Sequence, residues 1–161
     1  MKYLTRLALS GACFSLLTVP CVFATLTLTT STGSIAIPFL ATDYNASTGA
    51  AQVIKISAQT LTILSTSNTW TLNVRALSST FSFAPSLGDS NPNKPAADLV
   101  VRAPVTSSTW LVLSTTNQVL STGPKSASNQ TRVLDYRLNS NLSTNPPGSY
   151  TLSVVYTLTS P

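Results

Sequence analysis

The sequence predicts an all-β chain folded as an antiparallel β-sandwich, and three observations predict it. Apolar residues recur at every second position over several stretches, which places them on one face of an extended strand. Turn-forming Gly, Pro and Asn separate those stretches at short intervals. Serine and threonine are abundant and only 8% of the 161 residues are charged, a composition that suits half-wetted strand surfaces.

The chain opens on a different kind of segment. Lys2 and Arg6 precede an apolar run from Leu7 to Val19, and Val22-Phe23-Ala24 offers small or aliphatic residues before Thr25. This reads as a secretory signal peptide over residues 1–24. A transmembrane anchor is the competing reading, but the run is shorter than the ~20 residues needed to cross a bilayer and Pro20 interrupts it. The expected product is therefore exported, to the cell surface, the periplasm or the extracellular space, with no transmembrane anchor. Both cysteines, Cys13 and Cys21, leave with the leader, so residues 25–161 hold no Cys, Met, His or Glu. Loss of Lys2 and Arg6 lowers the formal charge from +5 to +3, and the seven remaining cations are scattered. A nucleic-acid reader would show a clustered basic stripe, so nucleic acid is not an expected partner. The length predicts one domain, 25–161, held by its core without disulfides.

Taken in order, Thr25 to Thr30 alternates Leu26 and Leu28 with threonine and reads as a strand. Ile35 to Leu40 is a second apolar piece, but Pro38 interrupts it and predicts an edge or a break. After the polar loop 42–49, Gln52 to Ser65 alternates at Val53 to Ile56 and again at Leu61 and Ile63, which fits one bent strand or two strands. Thr69 to Ala76 puts Trp70, Leu72 and Val74 on one face and Thr71, Asn73 and Arg75 on the other. Phe81 and Phe83 extend the apolar pattern before residues 85–95 break it with Pro, Gly, Asn and Asp. Asp98 to Arg102 and Thr109 to Thr115 follow as strands. In the second, Trp110, Leu111, Val112 and Leu113 are consecutive, which predicts a central strand covered on both faces. Val119-Leu120 is placed to pair with it, and 121–129 reads as a polar loop. Thr131 to Leu138 alternates Leu134, Tyr136 and Leu138 against Val133, Asp135 and Arg137. Pro146-Pro147-Gly148 then starts one long final strand in which Tyr150, Leu152, Val154, Tyr156 and Leu158 share a face. The Trp70, Tyr136 and Tyr150 faces would meet as the interior of two sheets about 10 Å apart.

The chemistry is mostly exclusion. Without His or Cys past the leader, Ser-His-Asp and Cys-His catalysis fall away, as do zinc sites built on imidazole or thiolate. No lysine has a serine three residues before it. Glycoside hydrolysis needs two carboxyl groups across a sugar, and only Asp43, Asp89, Asp98 and Asp135 are available. Asp98 and Asp135 have Arg102 and Arg137 close in sequence, which predicts solvated surface pairs. Asp89-Ser-Asn91-Pro-Asn93 alternates oxygen ligands as calcium loops do, but Val100 stands where the bidentate glutamate belongs, so the stretch reads as an Asx and proline turn. The expectation is a non-enzymatic chain with no catalytic residue, no metal and no cofactor. Of the aromatics, Trp70 lies in register with Leu72 and Val74 and reads as core. Trp110, and Tyr44 in its polar loop, are the candidate ligand contacts.

Thr69-Trp70-Thr71-Leu72-Asn73-Val74 carries a Trp-x-Leu motif, and Gly148-Ser-Tyr150 to Tyr156-Thr-Leu158-Thr-Ser-Pro161 resembles the terminal strand of bacterial WxL-domain surface proteins, with Tyr156 where that family has its second tryptophan. The resemblance implies wall attachment without a covalent bond and a cell-wall polysaccharide partner, with Trp70, Leu72, Tyr150, Tyr156 and Leu158 as motif residues in the core. The general plan, a signal peptide and then a small Ser/Thr-rich sandwich ending in a Gly-x-Tyr strand, is also similar to fimbrial and spore-coat-like pilin subunits. That similarity implies an Ig-like or pilin-like sandwich and cell adhesion. It also implies surface or fimbrial protein partners and self-assembly by strand donation. Thr25 to Thr30 would be the donated segment. The resulting expectation is an exported surface module, structural or adhesive, with a carbohydrate- or wall-binding module second and a hydrolase third.

Overall fold

Side-chain alternation builds the sheets. In the computed structural model, which describes residues 24–86, 88–104 and 108–161, the chain forms ten strands. They are β1 (Leu26–Thr30), β2 (Ala50–Ser65), β3 (Trp70–Ala76), β4 (Ser82–Pro85), β5 (Leu99–Arg102), β6 (Leu111–Val112), β7 (Gln118–Gly123), β8 (Ser126–Asn141), β9 (Gly148–Thr151) and β10 (Val154–Thr159). Single 3-10 turns stand at Ala41–Asp43 and Ala96–Asp98. The expected leader lies outside the described residues except for Ala24. No helix among the described residues is long and apolar enough to cross a membrane.

Every strand pairing is antiparallel. A five-stranded sheet runs β1-β2-β8-β5-β6, a three-stranded sheet β10-β3-β7, and β4 pairs with β9. Their inner faces share one core that includes Leu61 and Ile63 of β2, Trp70, Leu72 and Val74 of β3, Val101 of β5, and Leu134 and Tyr136 of β8. In β2 and β3 these alternate with more exposed neighbours, most cleanly in β3, where Trp70, Leu72, Val74 and Ala76 are buried and Thr71, Asn73 and Arg75 half-buried. The all-β sandwich expected from the alternation is the architecture found.

Several elements differ from the expectation. The final strand is two: β9 pairs with β4, and after Leu152-Ser153 the chain enters the other sheet as β10. Tyr150, Leu152, Val154, Tyr156 and Leu158 nevertheless all pack on the core, because a period-2 pattern survives a change of partner. The segment containing Trp110 is not central. β6 is two residues long and ends the five-stranded sheet, whereas β8 sits in the middle. Gln118–Gly123 pairs with β3, not with β6, and only Pro124-Lys125 separate it from β8, so most of the expected loop 121–129 is strand. Ile35, Ile37 and Phe39 form no strand but lie half-buried against the core.

β2 is one strand bent by a bulge. Lys55 pairs with Tyr136 and Gln59 with Leu134, so Ile56, Ser57 and Ala58 stand opposite the single Asp135. Ser57 takes φ 51°, in the left-handed region that a non-glycine residue enters only when something holds it there. What holds it is Asp135, whose Oδ1 accepts the Ser57 N–H at 2.8 Å.

Candidate functional site

Two surfaces of the sandwich gather side chains that the sequence scatters. The first is the outer face of the five-stranded sheet. Register carries one row across four strands, from Ile54 to Arg137, Val100 and Val112. The next row starts at the bulge and passes through Asp135, its cross-strand partner Arg102, and Trp110, which precedes β6. Asp135 is 1% exposed, and its Oδ2 accepts from Arg102 Nε and Nη2, each at 2.9 Å. The guanidinium groups of Arg102 and Arg137 stack on Trp110, 4.5 and 4.9 Å from its ring centroid, contacts worth about 0.5–2 kcal/mol each.

Val100 shows what this outer cluster does. It is 2% exposed yet stands outside the core cluster, so the face turned away from the core has buried apolar surface of its own. Around it the face stays open to solvent, with Ile54, Ile56 and Val112 at 48%, 68% and 50% exposure. Arg137 Nε is buried without a hydrogen-bond partner among the described residues.

The second surface is a groove of about 410 Å³ between the inner face of the five-stranded sheet and the β9–β10 connection. Ile35, Ile37, Leu138, Tyr150 and Tyr156 are among its walls. Gln59 and Tyr136 also line it. Tyr136 donates its O–H to Gln59 Oε1 at 2.6 Å, and the Tyr136 and Tyr156 hydroxyls share a short hydrogen bond. Gln59 Nε2 donates in turn to Thr30 Oγ1 at 2.8 Å and to the Thr32 carbonyl at 2.9 Å. Burial pushes the Tyr136 phenol up to about 12 against a small downward pull from the Tyr156 hydrogen bond. Tyr156 is also raised, chiefly by burial and then by Tyr136. These polar groups satisfy one another, so the network ties β1, β2, β8 and β10 together.

A third polar cluster is structural. Lys94 is 1% exposed, and its Nζ donates to Asp98 at 2.6 Å, to the Asn139 carbonyl and to Asn145 Oδ1 at 3.1 Å. It pins loop 88–95 to the β8–β9 turn. Within that loop the Asn93 N–H bonds Asn91 Oδ1 at 2.9 Å, the Asx turn expected there. No group of three His, Cys, Asp or Glu that could hold a metal occurs among the described residues.

The candidate residues fall in three places. Trp110 is half-buried in the outer cluster. Tyr44 is half-buried too rather than exposed, because its ring lies 5.7 Å from that of Phe39. Trp70 and Leu72 are core, at 1% and 0% exposure, while Tyr150, Tyr156 and Leu158 are partly buried against it. Trp70 packs directly on Gly123 across the β3–β7 pair and under the Arg132 guanidinium, 4.8 Å from its centroid. The expected surface pairs are corrected: Asp98 pairs with Lys94, and Asp135 is buried and pairs with Arg102. For Asp135 sequence proximity misled because its cross-strand partner is set by register, whereas Asp98 meets Lys94, four residues before it, across the Ala96–Asp98 turn. Gln59, polar in an alternating strand, and Lys94, polar in a Pro- and Asn-rich loop, carried no sequence signal of their burial.

No family model matches the chain, and comparison with curated proteins finds no match.

Proposed function

We propose that the chain is an exported, non-catalytic surface module, structural or adhesive, that acts through strand edges and contacts with protein or cell wall. One observation carries this reading. β1 (Leu-Thr-Leu-Thr-Thr) and β10 (Val-Val-Tyr-Thr-Leu-Thr) each end a sheet, and neither contains a charge or a proline. Those are the devices by which monomeric proteins keep an edge from pairing with another chain, and a bare edge is a template for strand addition. The two bare edges also touch at one corner of the sandwich, beside the groove.

β1 pairs with residues 61–65 of its own chain. Donation to a neighbour would be an exchange of that pairing, as in a domain swap. Size-exclusion chromatography of the exported protein, of a form lacking residues 25–32, and of Thr157→Lys in β10 tests the reading. Assembly that either change reduces supports it. Monomeric behaviour of the unmodified protein at every concentration removes strand-edge assembly.

A wall- or carbohydrate-binding module is the second reading, favoured by the placement of Trp110 on an open sheet face. A polysaccharide pull-down comparing Trp110→Ala with the unmodified protein tests it, and no retention of either removes it.

A further inference from the structure

The chain has only four side-chain carboxylates, and the structure describes all of them. Asp98 is taken by Lys94 and Asp135 by Arg102. Asp43 and Asp89 have no cation within ion-pair distance among the described residues. Of these two, Asp43 stands in an exposed four-residue turn, Leu40-Ala41-Thr42-Asp43, whose leucine is 62% exposed. The turn is held in shape by the Leu40 N–H bonding Asp43 Oδ2 at 2.7 Å. It therefore presents one apolar side chain and one uncompensated carboxylate on an exposed turn closed by its own hydrogen bond.

The outer face of the five-stranded sheet presents the converse. Among the described residues Arg137 has no carboxylate partner and its Nε no hydrogen-bond partner, and its guanidinium stacks on Trp110. Exposed Ile54, Ile56 and Val112 surround it across about 14 Å of sheet, three strand spacings. A sugar is a poorer match for this face than a protein. The one carboxylate there, Asp135, already accepts from Ser57 and Arg102, which leaves little to receive sugar hydroxyls. Arginine and tryptophan set in apolar surface are instead the composition of protein contact centres.

We infer that this face docks a second copy of the chain, which seats Leu40 on the Ile54, Ile56 and Val112 surface and sets Asp43 against Arg137. Turn and face are different patches, so the contact is heterologous and leaves one of each free at the ends of any dimer. Such contacts propagate into open chains unless the rotation closes a ring. The inference rests on the contact-module reading above and gives it a second interface, distinct from the β1 and β10 edges.

Concentration-series sedimentation velocity of the exported protein tests it. Asp43→Arg and Arg137→Asp are each expected to weaken self-association by about tenfold or more, and the double variant with the charges exchanged is expected to restore it. Leu40→Ser, at an exposed position, is expected to weaken association without changing the circular-dichroism spectrum. Restoration in the double variant separates a lost contact from a lost fold. Association that is unchanged in Asp43→Arg and Leu40→Ser overturns the inference; if Thr157→Lys abolishes it in the same series, the strand-edge reading stands alone. A protein that stays monomeric throughout overturns both.

Discussion

Removing the Asp135 carboxylate tests the bulge that bends β2. In Asp135→Ala the Ser57 N–H loses its acceptor at 2.8 Å and Arg102 loses two contacts at 2.9 Å. Breaking a fully buried ion pair costs about 3–5 kcal/mol. The Arg102 side chain is 27% exposed, so water recovers part of its solvation, and Ser57 is itself exposed. The lower end applies, about 3 kcal/mol, or roughly 10 °C in Tm for a domain of this size. Asp135→Asn keeps an oxygen for Ser57 and removes only the charge, at about half that cost. Arg102→Ala leaves a carboxylate that is 1% exposed without a counter-ion, so it costs at least as much as Asp135→Ala. Urea unfolding followed by tryptophan fluorescence measures all three, and Trp110, stacked on Arg102, reports the local change. The double variant Asp135→Leu, Arg102→Leu should be less destabilised than the sum of its singles by about 2 kcal/mol. An Asp135→Ala protein within about 0.5 kcal/mol of the unmodified one would refute the claim that this pair holds the bulge.

The other predictions are shorter. In Gly123→Ala a Cβ would lie 2.2 Å from Cζ2 of Trp70, which is 1% exposed and hemmed in by the core; overpacking of at least ~3 kcal/mol follows, read as a lowered urea midpoint. Lys94→Ala strips Asp98 and Asn145 of their shared donor and should cost about 3 kcal/mol, with proteolysis in loop 88–95 accelerated. The Tyr136 phenol is raised from 10 to about 12, so the folded state holds its proton more tightly than the unfolded chain does. That preference is fully present below pH 10 and is lost as the pH rises through 12, about 2–3 kcal/mol in all. Tyr136→Phe should flatten that limb of a stability-against-pH curve, and an unchanged slope would refute the assignment.

Much of the fold is legible in residue order alone. Period-2 alternation at Trp70-Leu72-Val74, at Leu134-Tyr136-Leu138 and from Tyr150 to Leu158 marks core-facing positions whichever strands they meet, since side-chain direction is a local property of extended backbone. The turn at 89–93 is legible for the same reason, because an Asx turn is closed by residues two apart. The absence of His and Cys after residue 24 follows from composition and removes whole classes of chemistry.

Pairing between distant residues was decided only by the tertiary structure. A run of consecutive apolar residues, Trp110 to Leu113, reads as central, yet β6 is an edge: Val112 is half exposed, and Trp110 just before it lies under arginines from β5 and β8. Asp135, polar in an alternating strand, reads as solvated; a bulge on β2 and an arginine on β5 bury it instead. Tyr136, Gln59 and Tyr156 come from three strands, and their hydrogen bonds exist only once those strands are in register. The sequence by itself determined which side chains face inward, because that depends on neighbours along the chain. Which strands adjoin, and so which charges and hydroxyls meet, depends on register and sheet order, and those are settled by the packing of the whole core.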